Sequence, residues 1–266
     1  MEVFDIIVLA LIQGVTEFLP ISSSGHLVLW PLLTGRADQG VTMDVAVHLG
    51  TLVAVMLFFR ADMARLFAGT WDVLRGRFGT SDARLALLIA VATIPAVLAG
   101  AVLKLTGAMD GLRSVEIIGW ATLIGGVLLW LADRFGRETR TGDGWTMRDA
   151  VLMGVAQACA LVPGTSRSGA CMTMARALGF ERSEAARLAL LMAVPTILAA
   201  GTLETAGVIA DGNLQLGAEL VLGATLSCAA ALAALWLMMG MFAQNWTMTP
   251  FVIYRLILGA ALLLLA

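Results

Sequence analysis

Two short polar stretches carry most of the side chains capable of chemistry. The first runs Glu17-Phe18-Leu19-Pro20-Ile21-Ser22-Ser23-Ser24-Gly25-His26 and the second Pro163-Gly164-Thr165-Ser166-Arg167-Ser168-Gly169, each inside an otherwise apolar segment. A carboxylate, an imidazole and a guanidinium are costly at membrane depth, so at such breaks they mark a functional site by default. In the second stretch Pro163 and Gly164 open a turn, and Thr165, Ser166 and Ser168 supply hydroxyls at the start of the apolar segment 170–178. A helix beginning there would present free N–H groups and positive dipole charge to an anion. Arg167 adds a planar guanidinium suited to gripping phosphate through two parallel hydrogen bonds. Together with Gly164, Thr165, Ser166, Ser168 and Gly169 it makes a phosphate cradle, though without the spacing of a nucleotide-binding loop. The alternative is structural, with Arg167 neutralising a buried Glu.

In the first stretch, Gln13 and Glu17 are spaced i, i+4 and share one face of a short helix. Glu17, with Gln13, could hold a hydrated divalent cation through oxygen ligands, or Glu17 could act without metal as a general base. Ser22, Ser23 and Ser24 are candidate nucleophiles or phosphate donors, and His26 titrates in the range suited to acid–base work. His48 has no metal-type or triad-type companion beside it in the sequence and reads as structural or cavity-lining. Arg255 lies in the last apolar run, where a pairing with a residue such as Glu204 and a contact with substrate are equal readings. Cys159, Cys171 and Cys228 lack the paired spacing of a zinc or redox site and read as small buried side chains, with no disulfide.

The elements that must position these residues are membrane helices. The chain has 266 residues, 59% hydrophobic, with a mean hydropathy of +0.90. Only 14% are charged, against roughly 25% in a soluble domain. Apolar runs near the ~20 residues needed to cross a bilayer occur at 43–59, 84–104, 114–132, 185–205, 216–239 and 249–266. Segments 1–33 and 149–178 are each cut near the middle by a polar stretch, leaving half-length pieces that suit re-entrant hairpins. Arg60, Arg65, Arg75, Arg77 and Arg84, then Arg134, Arg137, Arg140 and Arg148, then Arg176, Arg182 and Arg187 concentrate in three connections, which the positive-inside rule places in the cytoplasm. Basic clusters flank both ends of 149–178, so it enters and leaves by one face; the path makes 1–33 a hairpin from the other face. Trp30, Trp71, Trp120, Trp130, Trp145 and Trp246 fall toward span ends as interfacial anchors. The N-terminus has no basic residue before Arg36 and is expected to be retained rather than cleaved as a signal peptide.

The expected fold is therefore an all-α integral membrane domain over 1–266. It has six transmembrane helices plus two re-entrant hairpins, in inverted-topology repeats at about 1–132 and 149–266. Phe18-Leu19-Pro20 followed by Ser22-Ser23-Ser24-Gly25 echoes Leu161-Val162-Pro163 followed by Thr165-Ser166-Arg167-Ser168-Gly169, one residue longer. Hairpins entering from opposite faces would bring both polar tips together in one composite site.

Residues 13–26 and 163–169 resemble the two signatures of the undecaprenyl-diphosphate phosphatase family, the bacitracin-resistance proteins. Asp44-Val45-Ala46-Val47-His48-Leu49-Gly50, Ala193-Val194-Pro195 and Tyr254-Arg255 are also similar to that family, so the resemblance covers nearly the whole chain. It implies removal of one phosphate from a C55 isoprenoid diphosphate, which regenerates the lipid carrier of peptidoglycan synthesis. It implies a bacterial inner-membrane location and the same hairpin-and-span fold. By the same resemblance Glu17 and His26 are catalytic, Arg167 binds phosphate, and Ser23 and Ser166 line the site. It also implies a divalent cation, magnesium or calcium, with no organic cofactor. Gln13 stands where many members carry a first Glu, and His48 where some carry Gln. The partners expected are the isoprenoid diphosphate and the bilayer, with no nucleic acid and a homodimer as the oligomer to test.

Two rival readings belong to other classes. Inverted repeats with broken helices are also the architecture of alternating-access carriers, which makes a flippase or transporter of the lipid phosphate the runner-up. A purely structural membrane subunit would not require a buried Glu17 and Arg167. The K-x6-R-P signature of the other large lipid-phosphatase class is missing, and no histidine follows Ser166-Arg167 at the required distance.

Overall fold

The computed structural model describes residues 2–35, 40–210 and 217–266. Twelve α-helices occur among them: α1 (Val3–Thr16), α2 (Ser23–Thr34), α3 (Val41–Phe58), α4 (Arg60–Leu74), α5 (Ser81–Thr106), α6 (Ala108–Gly111), α7 (Val115–Phe135), α8 (Met147–Cys159), α9 (Arg167–Ala177), α10 (Arg182–Ala210), α11 (Ala218–Ala243) and α12 (Thr249–Leu265). No strand forms among the described residues, and the single bridge joins Arg140 to Phe180. Helices α3, α5, α7, α10 and α11 are long and apolar enough to cross a membrane. The sixth expected span, α12, is 17 residues long. Leu105, Leu264 and Trp236 stand 87%, 88% and 74% exposed on these helices, which in a protein this apolar is lipid-facing surface.

The two broken segments fall where the sequence places them. Helix α1 ends at Thr16 and α2 begins at Ser23; α8 ends at Cys159 and α9 begins at Arg167. Helix α1 packs on α11 and α8 packs on α5, while α3 meets both α10 and α11, α10 meets α5, and α7 meets α12. Close approach depends on small residues, as in membrane bundles generally. A Cβ on Gly14 of α1 would lie 2.5 Å from the Ser227 carbonyl of α11. The core runs along α10, where Ala185, Ala186, Ala189 and Ala193 are all essentially buried.

Several expectations change. Cys159, read as a small buried side chain, is exposed, while Cys171 is buried. The 60–75 stretch, read as a basic connection, folds into the helix α4, with Arg60 exposed and Arg65 half-buried. Arg176, counted as a connecting residue, lies inside α9 and is fully buried. It donates from Nε to Asp133 (3.1 Å) and from NH2 to Glu138 (3.1 Å). Asp133 also accepts from Arg182 Nε (2.7 Å) and the Met248 N–H (3.0 Å), tying α7, α9, α10 and α12 together. A charge count assigns such an arginine to water because it cannot see a carboxylate 43 positions away. Trp145, read as an interfacial anchor, is 1% exposed and belongs to the core.

Candidate active site

The two loop tips touch. Both contain a Ser-x-Ser-Gly sequence whose first serine adopts a left-handed backbone, Ser22 at φ +74° and Ser166 at φ +67°. In each, that serine's Oγ accepts the N–H of the glycine three residues on: Gly25 for Ser22 (3.4 Å) and Gly169 for Ser166 (3.1 Å). In each, the first and third hydroxyls lie 3.2 Å apart. The serine thus caps its helix, and the middle residue, Ser23 or Arg167, sits at the first turn of α2 or α9. Across the interface the Gly164 N–H donates to Ser24 Oγ (3.1 Å) and the Ser168 hydroxyl donates to the Leu19 carbonyl (3.0 Å). Gly164 is at φ +94°, and a Cβ there would sit 2.3 Å from the Ile118 carbonyl, so only glycine fits.

Glu17 is the hub. Its Oε2 accepts from Gln13 Nε2 (2.8 Å) and from the Ser23 hydroxyl (2.9 Å), and its Oε1 accepts from Arg167 NH2 (3.0 Å). Arg167 NH1 donates to the Ala193 carbonyl (3.0 Å). The ion pair that the structural reading anticipated is therefore present. It is nonetheless set in the wall of a cavity of about 410 Å³ that Glu17, Ser22, Ser23, Ser24, Ser166 and Arg167 line together. Its further walls come from α3 and α10, where Val41, Val45, Leu49, Ile197 and Ala200 make an apolar side.

The remaining expected site residues divide into those beside this cavity and those behind it. Gln13 is fully buried, and its Oε1 accepts no hydrogen bond among the described residues. Gly164, Thr165, Ser168 and Gly169 build the second tip without lining the cavity. His26 does not line it either. Its Nδ1–H donates to the Ser22 carbonyl (2.7 Å), so in the neutral ring Nε2 accepts from the Tyr254 hydroxyl at 2.6 Å. Both nitrogens are thus engaged in holding the first tip. His48 lines the cavity, with Nδ1 on the Asp44 carbonyl (2.7 Å) and Nε2 3.7 Å from Glu17 Oε2. Sequence distance hid this neighbour; only the Asp44–Gly50 resemblance marked the stretch.

Arg255 corrects a further reading, since it pairs with neither Glu204 nor the cavity. Fully buried, it donates to five backbone carbonyls: Pro20 of the first tip (3.4 Å), Gly164 (3.2 Å) and Thr165 (2.8 Å) of the second, and Ala121 (3.4 Å) and Thr122 (3.1 Å) of α7. A Cβ on Gly125 would fall 2.0 Å from its NH2, so α7 needs glycine to admit the guanidinium.

No group of three or more His, Cys, Asp or Glu gathers among the described residues as a ready metal cage. A single carboxylate at the cavity wall does fit magnesium, which takes one or two protein carboxylates and completes its shell with waters and substrate phosphate oxygens. Glu17 would hold the ion; Gln13, the second expected ligand, presents Nε2–H rather than Oε1 to that carboxylate from behind the cavity wall.

The fold and cavity define a class: a helical membrane protein with a carboxylate, a hydroxyl and a guanidinium converging from two broken helices. The chain belongs to the bacitracin resistance protein BacA family, whose description matches residues 6–261. It is 51% identical over 263 residues to a protein of Ruegeria pomeroyi named undecaprenyl-diphosphatase, covering 99% of this chain and 98% of that one. It is 50% identical to one of that name from Roseobacter denitrificans, covering 100% and 99%, and 45% identical to one from Hahella chejuensis, covering 97% and 96%.

Proposed function

We propose that the chain hydrolyses undecaprenyl diphosphate to undecaprenyl phosphate and inorganic phosphate, recycling the lipid carrier and so conferring bacitracin resistance. The observation that carries the mechanism is that one carboxylate, Glu17, binds the Ser23 hydroxyl on one oxygen and the Arg167 guanidinium on the other, at the wall of one cavity. A nucleophile and its base within hydrogen-bond reach, beside a fixed cation, are what phosphoryl transfer asks of a protein. Glu17 takes the Ser23 proton as Oγ attacks the terminal phosphorus. The P–O bond to the bridging oxygen breaks, and lipid phosphate leaves with that proton. Water, deprotonated by Glu17, then attacks the seryl phosphorus; the bond from phosphorus to Ser23 Oγ breaks, Glu17 returns the proton to Oγ, and inorganic phosphate is released. Arg167 and the N–H groups at the start of α9 stabilise charge on the transferring group. A magnesium or calcium ion on Glu17 would neutralise diphosphate charge when bound.

The finer topology belongs to this reading: six spans and two re-entrant hairpins in inverted repeats, set in the bacterial inner membrane. Exchange of equivalent partners supports it. If α1 corresponds to α8 and α5 to α11, the α1–α11 contact maps onto α8–α5, and α3–α11 maps onto α10–α5. The matched backbone of Ser22 and Ser166 supports it independently.

The deciding experiment is inorganic phosphate release from C55 isoprenoid diphosphate by purified protein in detergent, with magnesium or with chelator. Release is expected to need the cation and to vanish in Glu17→Ala and Arg167→Ala. A folded wild-type protein that releases nothing would sink the assignment.

A further inference from the structure

A second, smaller cavity of about 110 Å³ lies among the first turns of α5, the middle of α4, the start of α10 and the 142–145 turn. Arg65, Arg84 and Arg187 line it, with Ser81, Trp145 and one carboxylate, Asp143. Arg187 is committed, binding Asp62 and donating to Glu184 (3.1 Å). Arg65 uses only Nε, on Asp82 (2.9 Å), and Arg84 uses only NH2, on the Trp145 carbonyl (2.9 Å). Their other N–H groups have no acceptor among the described residues. The indole N–H of Trp145, 1% exposed, also has none. Two guanidiniums with N–H groups to spare, an indole N–H without an acceptor and the N-terminal end of a 26-residue helix together suit an oxyanion.

An adjoining cavity shares Ser81, Arg84 and Leu88 and adds Phe78, Leu87 and Met147, with Phe78 61% and Met147 50% exposed. Donors for an oxyanion thus open directly onto an apolar surface. We propose that this second cavity binds a phosphate group, presented by an anionic membrane lipid whose chains lie along Phe78, Leu87 and Met147. It is separate from the reacting cavity. Arg187 and Glu204 line one each and stand 17 positions apart on α10, roughly 25 Å along the axis at 1.5 Å per residue. Basic pockets between membrane helices on the cytoplasmic side are a recurring form of lipid-headgroup site.

The test uses purified protein in detergent, with phosphatidylglycerol, inorganic phosphate and the phosphate-free lipid monogalactosyldiacylglycerol as probes. Dissociation constants are read by native mass spectrometry and checked by shifts in melting temperature. Phosphatidylglycerol is expected to bind and stabilise, and monogalactosyldiacylglycerol not. Trp145→Phe, which keeps the ring and removes the donor, is expected to weaken phosphatidylglycerol about fivefold, the worth of one neutral hydrogen bond. Arg84→Gln is expected to weaken it about tenfold or more, as a charged donor is lost. Both variants should release phosphate from the isoprenoid diphosphate within about twofold of wild type, which certifies their fold. Equal stabilisation by inorganic phosphate alone would assign the same site to the free anion. Failure of both phosphate probes to bind wild type, or undiminished binding to Trp145→Phe and Arg84→Gln, would overturn the proposal.

Discussion

The two loop tips share a backbone and differ in one side chain. Ser22-Ser23-Ser24-Gly25 and Ser166-Arg167-Ser168-Gly169 have the same left-handed first serine, the same cap on the glycine N–H and the same 3.2 Å contact between outer hydroxyls. At the middle position one tip offers a hydroxyl and the other a guanidinium, and both reach Glu17. The outer serines therefore shape and cap, while the middle position sets the chemistry. On the proposed mechanism, two tips of matched backbone divide a nucleophile from a charge stabiliser at the one position of this motif where they differ.

The strongest way to break this comparison is at the middle positions. Ser23→Ala should lower phosphate release by about 10³-fold or more, because a nucleophile cannot be supplied by its neighbours. Activity near wild type would pass the role to water. Arg167→Lys keeps the charge but not the fork and should cost about 10²-fold in kcat/KM, the scale of one lost stabilising donor. A drop of less than about threefold would remove bidentate phosphate binding from that tip.

Smaller effects are expected behind the cavity. His26→Ala removes both bonds that hold the first tip to Tyr254 and Ser22, and should lower kcat/KM about tenfold by misplacing Ser23. A loss as deep as that of Ser23→Ala would return the imidazole to the chemistry. Smallest of all, Ser22→Ala and Ser166→Ala should each cost about 1 kcal/mol of stability, the worth of an N-cap. Calorimetric melting of the two variants would show matched shifts; a severalfold difference would mean that the tips are not structural equivalents.

Much of this was legible because lipid makes polarity informative. Breaks near Pro20 and Pro163, with Glu17 and Arg167 beside them, stood out against apolar runs, and six such runs recur as α3, α5, α7, α10, α11 and α12. The Glu17–Arg167 meeting was expected from two hairpins converging, as was a contribution from Ser23. What escaped depends on contacts between residues far apart in the chain. His48 comes to Glu17 because α3 packs beside α1, and no local pattern records that. Arg255 has only backbone oxygens for partners, and a carbonyl belongs to every residue, so the sequence cannot single out which ones it meets. Helix α4 carries four charges in its 15 residues, which read as a solvated connection.

Arg255 also limits how this protein can move. Carriers that rock one repeat against the other must part the repeats at the centre of the membrane, where the substrate changes sides. Here a single buried cation holds a carbonyl of the first tip, two of the second and two of α7 at once. Parting the tips would break its bond to Pro20 and open a void beside a buried guanidinium, so this cation opposes separation of the two tips at the centre of the molecule.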